Sequence, residues 1–219
     1  MFGIGAAANA RGANARGDGD PSLGSVLGID PGLSRCGYGV VRAEGSRPVA
    51  VAYGVIRTEP ASPLPDRLAR LAAELDVLVA ELAPAALAVE RVLFQVNART
   101  AMAVGQASGL ALVAAARAGI PVTHYSPNEV KLGLAGDGAA GKEQVQQMVQ
   151  RVLRLAEVPR PADAADALAL ALHHLWRQPL DNARRRAEGP APDRTDGAPP
   201  PGRTNLDRAV AAALARDAS

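Results

Sequence analysis

Cysteine is nearly absent from this 219-residue chain. Cys36 stands alone, so no internal disulfide framework can form, and the composition fits a reducing cytoplasm. Long hydrophobic runs are missing too: none approaches the roughly 18 residues of a membrane span. Arg11 and Arg16 lie among Ala, Gly and Asn, with no apolar segment of signal-peptide length beside them, and Asp18 and Asp20 argue against a transit peptide. The expectation is a soluble cytoplasmic protein with no membrane association. Nor is there a large excess of charge, the formal net value being +2. Residues 177–219 hold eight Arg against six acids, Arg184, Arg185 and Arg186 among them, whereas residues 25–176 balance at 14 basic and 14 acidic. Charge alone therefore does not announce a nucleic-acid binder. Lysine is scarcest of the charged types. Of 24 basic residues only Lys131 and Lys142 are lysines, eleven residues apart in one segment. A compact ammonium suits a phosphate or a metal-bound oxyanion where a planar guanidinium does not, although composition alone leaves chance placement equally open.

What is present reads as one domain with tails. A core of about 150 residues buries roughly 70% of its unfolded surface and needs no staple. Residues 1–24 are Gly/Ala/Asn-rich without periodicity and read as a disordered extension, or as the product of an upstream start codon. The domain is expected over residues 25–177. Val26–Ile29 is a short apolar strand closed by the Pro31-Gly32 turn, and Gly37–Arg42 and Val49–Thr58 are further strands joined by a polar turn. Leu68, Leu71, Leu75, Leu78 and Leu82 then recur at helical spacing, which predicts a helix over Leu64–Leu82. Pro84 ends it, and Ala86–Val89 is apolar enough for a buried parallel strand. A long Ala-rich helix is predicted over Asn97–Ala118 and a strand over Pro121–Tyr125. Ser126-Pro127-Asn128-Glu129 is a capping box that starts another helix. Leu132–Gly141 reads as a loop, and helices follow over Lys142–Leu155 and Pro161–Trp176. A strand meander followed by alternating strands and helices means α/β with a mixed central sheet. Residues 178–219 are Pro/Arg-rich and expected to be disordered, with a short helix at 205–217.

Four acids stand where structure alone does not ask for them. Asp30 ends the apolar strand Val26–Ile29, Glu90 ends the apolar strand Ala86–Val89, and Asp163 and Asp166 open the last helix among Ala and Leu. If the two strands are parallel neighbours, Asp30 and Glu90 emerge at one sheet edge, where open α/β sheets bind ligands. Spacing i, i+3 puts Asp163 and Asp166 on one face of their helix. An acid in a first turn also simply favours the helix dipole. Taken together, four converging carboxylates repel, and hard divalent cations relieve that repulsion; oxygen-only donors select Mg²⁺ or Mn²⁺ over zinc. Two such ions are expected to clamp the attacking and leaving oxygens of a phosphoryl displacement. His124, His173 and His174 read as surface or supporting positions rather than catalysts.

Gly28-Ile-Asp-Pro-Gly-Leu-Ser-Arg-Cys-Gly-Tyr-Gly-Val, Ala88-Val-Glu-Arg-Val, Asn97-Ala-Arg-Thr-Ala, Val104-Gly-Gln-Ala and Ala162-Asp-Ala-Ala-Asp-Ala-Leu-Ala-Leu together resemble the RuvC-type Holliday junction resolvases over residues 25–176. The resemblance implies a ribonuclease-H-like mixed five-stranded sheet flanked by helices. It implies a catalytic, metal-binding tetrad of Asp30, Glu90, Asp163 and Asp166, with Lys142 serving both catalysis and DNA binding and Lys131 binding DNA. Arg91 and Asn97, inside two of the shared motifs, are counted as further DNA contacts. The family's aromatic pair is Leu93-Phe94 here, so base stacking at the crossover passes to Phe94 or becomes an apolar wedge by Leu93. Family members are homodimers that nick opposite strands of four-way junction DNA symmetrically, leaving 5′-phosphate and 3′-hydroxyl ends, in recombination and repair. A branch-migration helicase complex is the implied partner.

Three other readings compete. A non-catalytic junction-binding protein predicts a missing carboxylate. Another nuclease of the same fold, acting on RNA–DNA hybrids or duplex ends, lacks a use for the lysine segment and the Leu93-Phe94 pair. An actin-like or sugar-kinase-like ATPase needs a second domain and a second Gly-rich phosphate segment.

Overall fold

The apolar run after Gly24 enters the middle of a sheet. In the computed structural model, which describes residues 24–91 and 98–188, β1 (Val26–Asp30), β2 (Arg35–Glu44) and β3 (Arg47–Arg57) form an antiparallel meander. Helix α1 (Leu64–Leu82) crosses over to β4 (Ala86–Glu90), and α2 (Ala98–Arg117) to β5 (Val122–Tyr125). Both crossovers yield parallel pairs, β1 with β4 and β4 with β5, so the sheet order is β3-β2-β1-β4-β5. The chain then forms α3 (Pro127–Ala135), α4 (Lys142–Leu153) and α5 (Ala162–Glu188). It divides into two compact units, residues 1–178 and 179–219, of which the first holds the sheet.

Alternation along the strands builds a core on each face. Leu27, Ile29, Val40, Leu87 and Val89 meet Leu71 and Leu75 of α1 and Ala107, Ala111 and Ala115 of α2. Val26, Val41, Ala86 and Ala88 point the other way, to Val145 and Val149 of α4 and to Leu168 and Leu172 of α5. Because helices cover both faces, β1 and β4 are buried through their first four residues, which is why they read as continuous apolar runs.

Helix α5 is seated directly on the sheet backbone. A Cβ added at Gly28 would lie 2.0 Å from the Ala167 carbonyl oxygen. At Gly37 it would lie 2.1 Å from the Asp163 carbonyl oxygen, and at Gly39 2.7 Å from the Leu168 nitrogen. These glycines therefore leave a bare track across β1 and β2 on which the helix backbone rests directly.

Two element boundaries differ from the sequence reading by more than two residues. Leu132–Ala135, expected in a loop, are the last turn of α3, because Val130 and Leu134 bury one face and Gly136 ends the helix at φ 72°. Helix α5 passes Trp176 and continues to Glu188, into the segment expected to be disordered, since most residues of 180–188 tolerate a helix and Pro179 does not end it. The expectations for residues 1–23 and for a helix at 205–217 lie outside the described residues.

Candidate active site

The parallel register of β1 and β4 brings the first two acids together. Ile29 stands opposite Val89, so Asp30 and Glu90 follow side by side at the C-terminal ends of the strands. The glycine track then delivers the first turn of α5, with Asp163 and Asp166, to the same edge. Burial and neighbouring acids act on Asp30 and Glu90. Burial first, then the charges of Glu90, Asp166 and Asp163, push Asp30 up to about 7, against the opposing pull of Lys142. Burial and the charge of Asp166 raise Glu90 as well, with Lys142 again opposing.

Two cations answer this negative charge. Lys142, the first residue of α4, places Nζ 2.7 Å from Asp166 Oδ2, and that hydrogen bond is the main reason its own pKa is raised. Arg35, the first residue of β2, donates from Nε at 2.9 Å to Asp163 Oδ2, and its Nη2 donates to the same oxygen. Lys131 joins Lys142, Glu90, Asp166 and Pro127 around a cavity of about 210 Å³. It is held there by the helix that the Ser126–Glu129 capping box starts, with Ser126 N–H donating to Glu129 Oε2 at 2.7 Å. Both lysines of the chain thus face the acidic edge.

Among the described residues, no three His, Cys, Asp or Glu side chains are gathered tightly enough to enclose an ion. Asp163 is turned to Arg35 and Asp166 to Lys142. The donor set nevertheless suits a hard divalent cation. All four donors are carboxylates, and the burial and, after it, the repulsion that push Asp30 up to about 7 are what a divalent charge offsets.

The remaining sequence candidates divide. Arg91 follows β4, is exposed, and reaches toward the His124 carbonyl at 3.5 Å. Leu93, Phe94 and Asn97 lie outside the described residues. His173 and His174, read from sequence as surface or supporting groups, are buried at 5% and 7% exposure because α5 turns them inward onto Tyr125. Tyr125 meets the His173 ring edge-on at 4.6 Å, and its hydroxyl lies 2.8 Å from His174 Nδ1. Arg35 was missed: as one Arg among many, in a turn already explained by Asp30 and Gly32, it carries no signal until α5 is placed over it.

A β3-β2-β1-β4-β5 sheet, with acids at the ends of its central parallel strands and on a helix seated across them, defines the ribonuclease-H-like class. Within that class, the model of the family "Crossover junction endodeoxyribonuclease RuvC" matches residues 26–174, and the chain belongs to this family of nucleases. The relative from Salinispora arenicola is 58% identical over 153 residues, covering 69% of this chain and 87% of its own. That from Frankia alni is 54% identical over 167 residues, covering 76% and 84%. Both carry the family's name. The structure of Thermus thermophilus RuvC superimposes with a TM-score of 0.68 at 41% identity, covering 72% of this chain and 96% of that one. The same protein in complex with a Holliday junction substrate gives 0.69 over the same shares. The yeast mitochondrial Holliday junction resolvase Ydc2, at 17% identity and a TM-score of 0.52, shares the fold.

Proposed function

We propose that this protein is a divalent-metal-dependent endonuclease that resolves four-way DNA junctions, with Asp30, Glu90, Asp163 and Asp166 as its metal-binding and catalytic carboxylates. The observation that carries this reading is the convergence of acids from β1, β4 and α5 at one sheet edge, beside the only two lysines of the chain. Family membership supplies the nuclease class and, in general terms, a divalent metal.

Two Mg²⁺ or Mn²⁺ ions held by the tetrad would supply a nucleophilic hydroxide and stabilise the leaving oxygen. The protein's own residues do the rest. Asp30 and Glu90, fixed by the parallel register, set the spacing of the site, while α5 carries Asp163 and Asp166 as one rigid unit. Lys142 holds Asp166 and adds positive charge where a phosphate with growing negative charge would sit. Lys131, across the same cavity, and the exposed Arg91 extend that charge along a DNA backbone. Leu93 or Phe94 would contact the crossover bases, and Asn97 the adjoining strand.

The protein is proposed to act as a homodimer, since paired symmetric nicks need two sites related by a two-fold axis. Met102 and Val113 of α2 are 66% and 46% exposed and three helical turns apart on one stripe. Gly105 and Gly109 on the same helix open onto unfilled space, which suits a second helix. A branch-migration helicase as partner rests on the family resemblance alone. Among the described residues no helix is long and apolar enough to cross a membrane. Membership in a nuclease family leaves the ATPase reading without support.

The test is cleavage of a labelled four-way junction beside matched linear duplex, with Mg²⁺ or Mn²⁺, by the wild type and by Asp30→Asn. Paired nicks in the junction alone, lost in the variant while junction binding persists, are the expected result. Binding without cutting under either metal would leave an architectural junction protein, and normal cutting by Asp30→Asn would overturn the tetrad.

A further inference from the structure

Arg35 and Gly37 lie two residues apart on β2 and so share one face of the strand, the face that carries α5. They hold the same residue from both ends. Gly37 lets the Asp163 main chain sit directly on the strand, where a Cβ would be 2.1 Å from its carbonyl oxygen. Arg35 grips the Asp163 side chain, with Nε and Nη2 both on Oδ2. With the Asp163 main chain already seated on Gly37, two N–H groups of a planar guanidinium converging on Oδ2 hold that oxygen, and with it the side-chain torsions, more narrowly than a single mobile point charge does.

The base of the arginine is itself braced. Thr58 N–H donates to the Ser34 carbonyl at 3.2 Å, and Thr58 Oγ1 to the Leu33 carbonyl at 2.6 Å. Arg67 of α1 reaches Ser34 Oγ at 2.6 Å and Thr58 Oγ1 at 3.0 Å. The braced loop runs from Asp30 to Arg35, so one short rigid segment ties the carboxylate of β1 to that of α5.

We infer that Arg35 is a positioning residue of the metal site: it holds Oδ2 of Asp163 and leaves Oδ1 oriented for the cation. This rests on the reading of Asp163 as a metal ligand. An ordinary surface ion pair contributes almost nothing, whereas the groups that orient a ligating carboxylate typically change metal affinity by about 10–100-fold. The Arg42–Glu44 pair, at the far end of the same strand, supplies the comparison.

The experiment is calorimetric titration of the metal-free protein with Mn²⁺, for the wild type and for Arg35→Ala, Arg35→Lys and Arg42→Ala. Thermal melts and junction cleavage across a Mn²⁺ series accompany it. Arg35→Ala is expected to weaken Mn²⁺ binding about 10-fold. It should also shift the cleavage curve to higher metal by the same factor, with a melting temperature like that of Arg42→Ala. Arg35→Lys should recover part of the loss, since it keeps the charge without the two-point grip. Unchanged or tighter Mn²⁺ binding by Arg35→Ala would overturn the inference, because the guanidinium would then be a bystander or a competitor of the ion. A wild type that neither binds Mn²⁺ nor cuts junctions would overturn the functional reading itself, a result distinct from a wild type that does both while Arg35→Ala matches it.

Discussion

Gly28 and Gly39 are cross-strand partners in β1 and β2, and α5 rests on both. Two pairs further along, and so on the same face, Asp30 stands opposite Gly37, the glycine beneath Asp163. The acidic edge and the helix seat are therefore the same stretch of sheet, so any change that lifts the helix also moves two of the four carboxylates.

Gly28→Ala should for that reason harm both stability and cleavage. Its Cβ would fall 2.0 Å from the Ala167 carbonyl oxygen, with backbone rather than a flexible side chain in the way. Overpacking of this kind costs about 1–3 kcal/mol. Urea denaturation should show a lower midpoint, and metal-saturated cleavage should fall by more than the unfolded fraction explains. Wild-type stability in this variant would mean that α5 is not seated as described.

The metal-free protein should lose stability as pH rises toward neutrality. Asp30 titrates at about 7 when folded and near 3.8 when unfolded, so between those values the folded state holds the extra proton. Stability is then highest below about pH 4 as far as this group is concerned, and declines until pH passes 7, by up to about 4 kcal/mol. Asp30→Asn should flatten that decline in denaturation measured with chelator present. Because a bound cation needs Asp30 ionised, Mg²⁺ should raise the melting temperature more at pH 8 than at pH 5.5.

Lys142→Ala should lower the cleavage rate by more than it weakens junction binding. Its ammonium lies 2.7 Å from Asp166 and pulls against the rise in both Asp30 and Glu90. Without it, both acids shift further upward, and the pH optimum of cleavage should move up with them. A cleavage rate equal to wild type, with an unmoved optimum, would return this lysine to the solvated surface.

Much of the architecture was legible because it depends on local pattern. Leucines at helical spacing located α1 with both ends correct, and the capping box located the start of α3. Strand ends are hydrophobic-to-acid transitions, so Asp30 and Glu90 stood out as acids where strands run out. Helix ends were less legible where a buried face or a tolerant composition carries a helix past a weak stop, as at Ala135 and Glu188. For the histidines of α5, surface and supporting positions both stayed open, because nothing in their immediate neighbours reveals that Tyr125 would meet them.

By itself, then, the sequence determined which residue types are available for chemistry: oxygen donors without a competing thiol or serine triad, and two lysines in one segment. It also determined the strand and helix periods, since these are set by near neighbours along the chain. Only the tertiary structure decided which of those groups meet. The parallel register sets Asp30 beside Glu90, and the glycine track aims α5 at both. The braced loop brings Arg35 to Asp163, 128 residues away in the chain. Such meetings rest on backbone-to-backbone contact between distant segments, and the missing side chain of a glycine shows its purpose only when the helix that fills the space is in view.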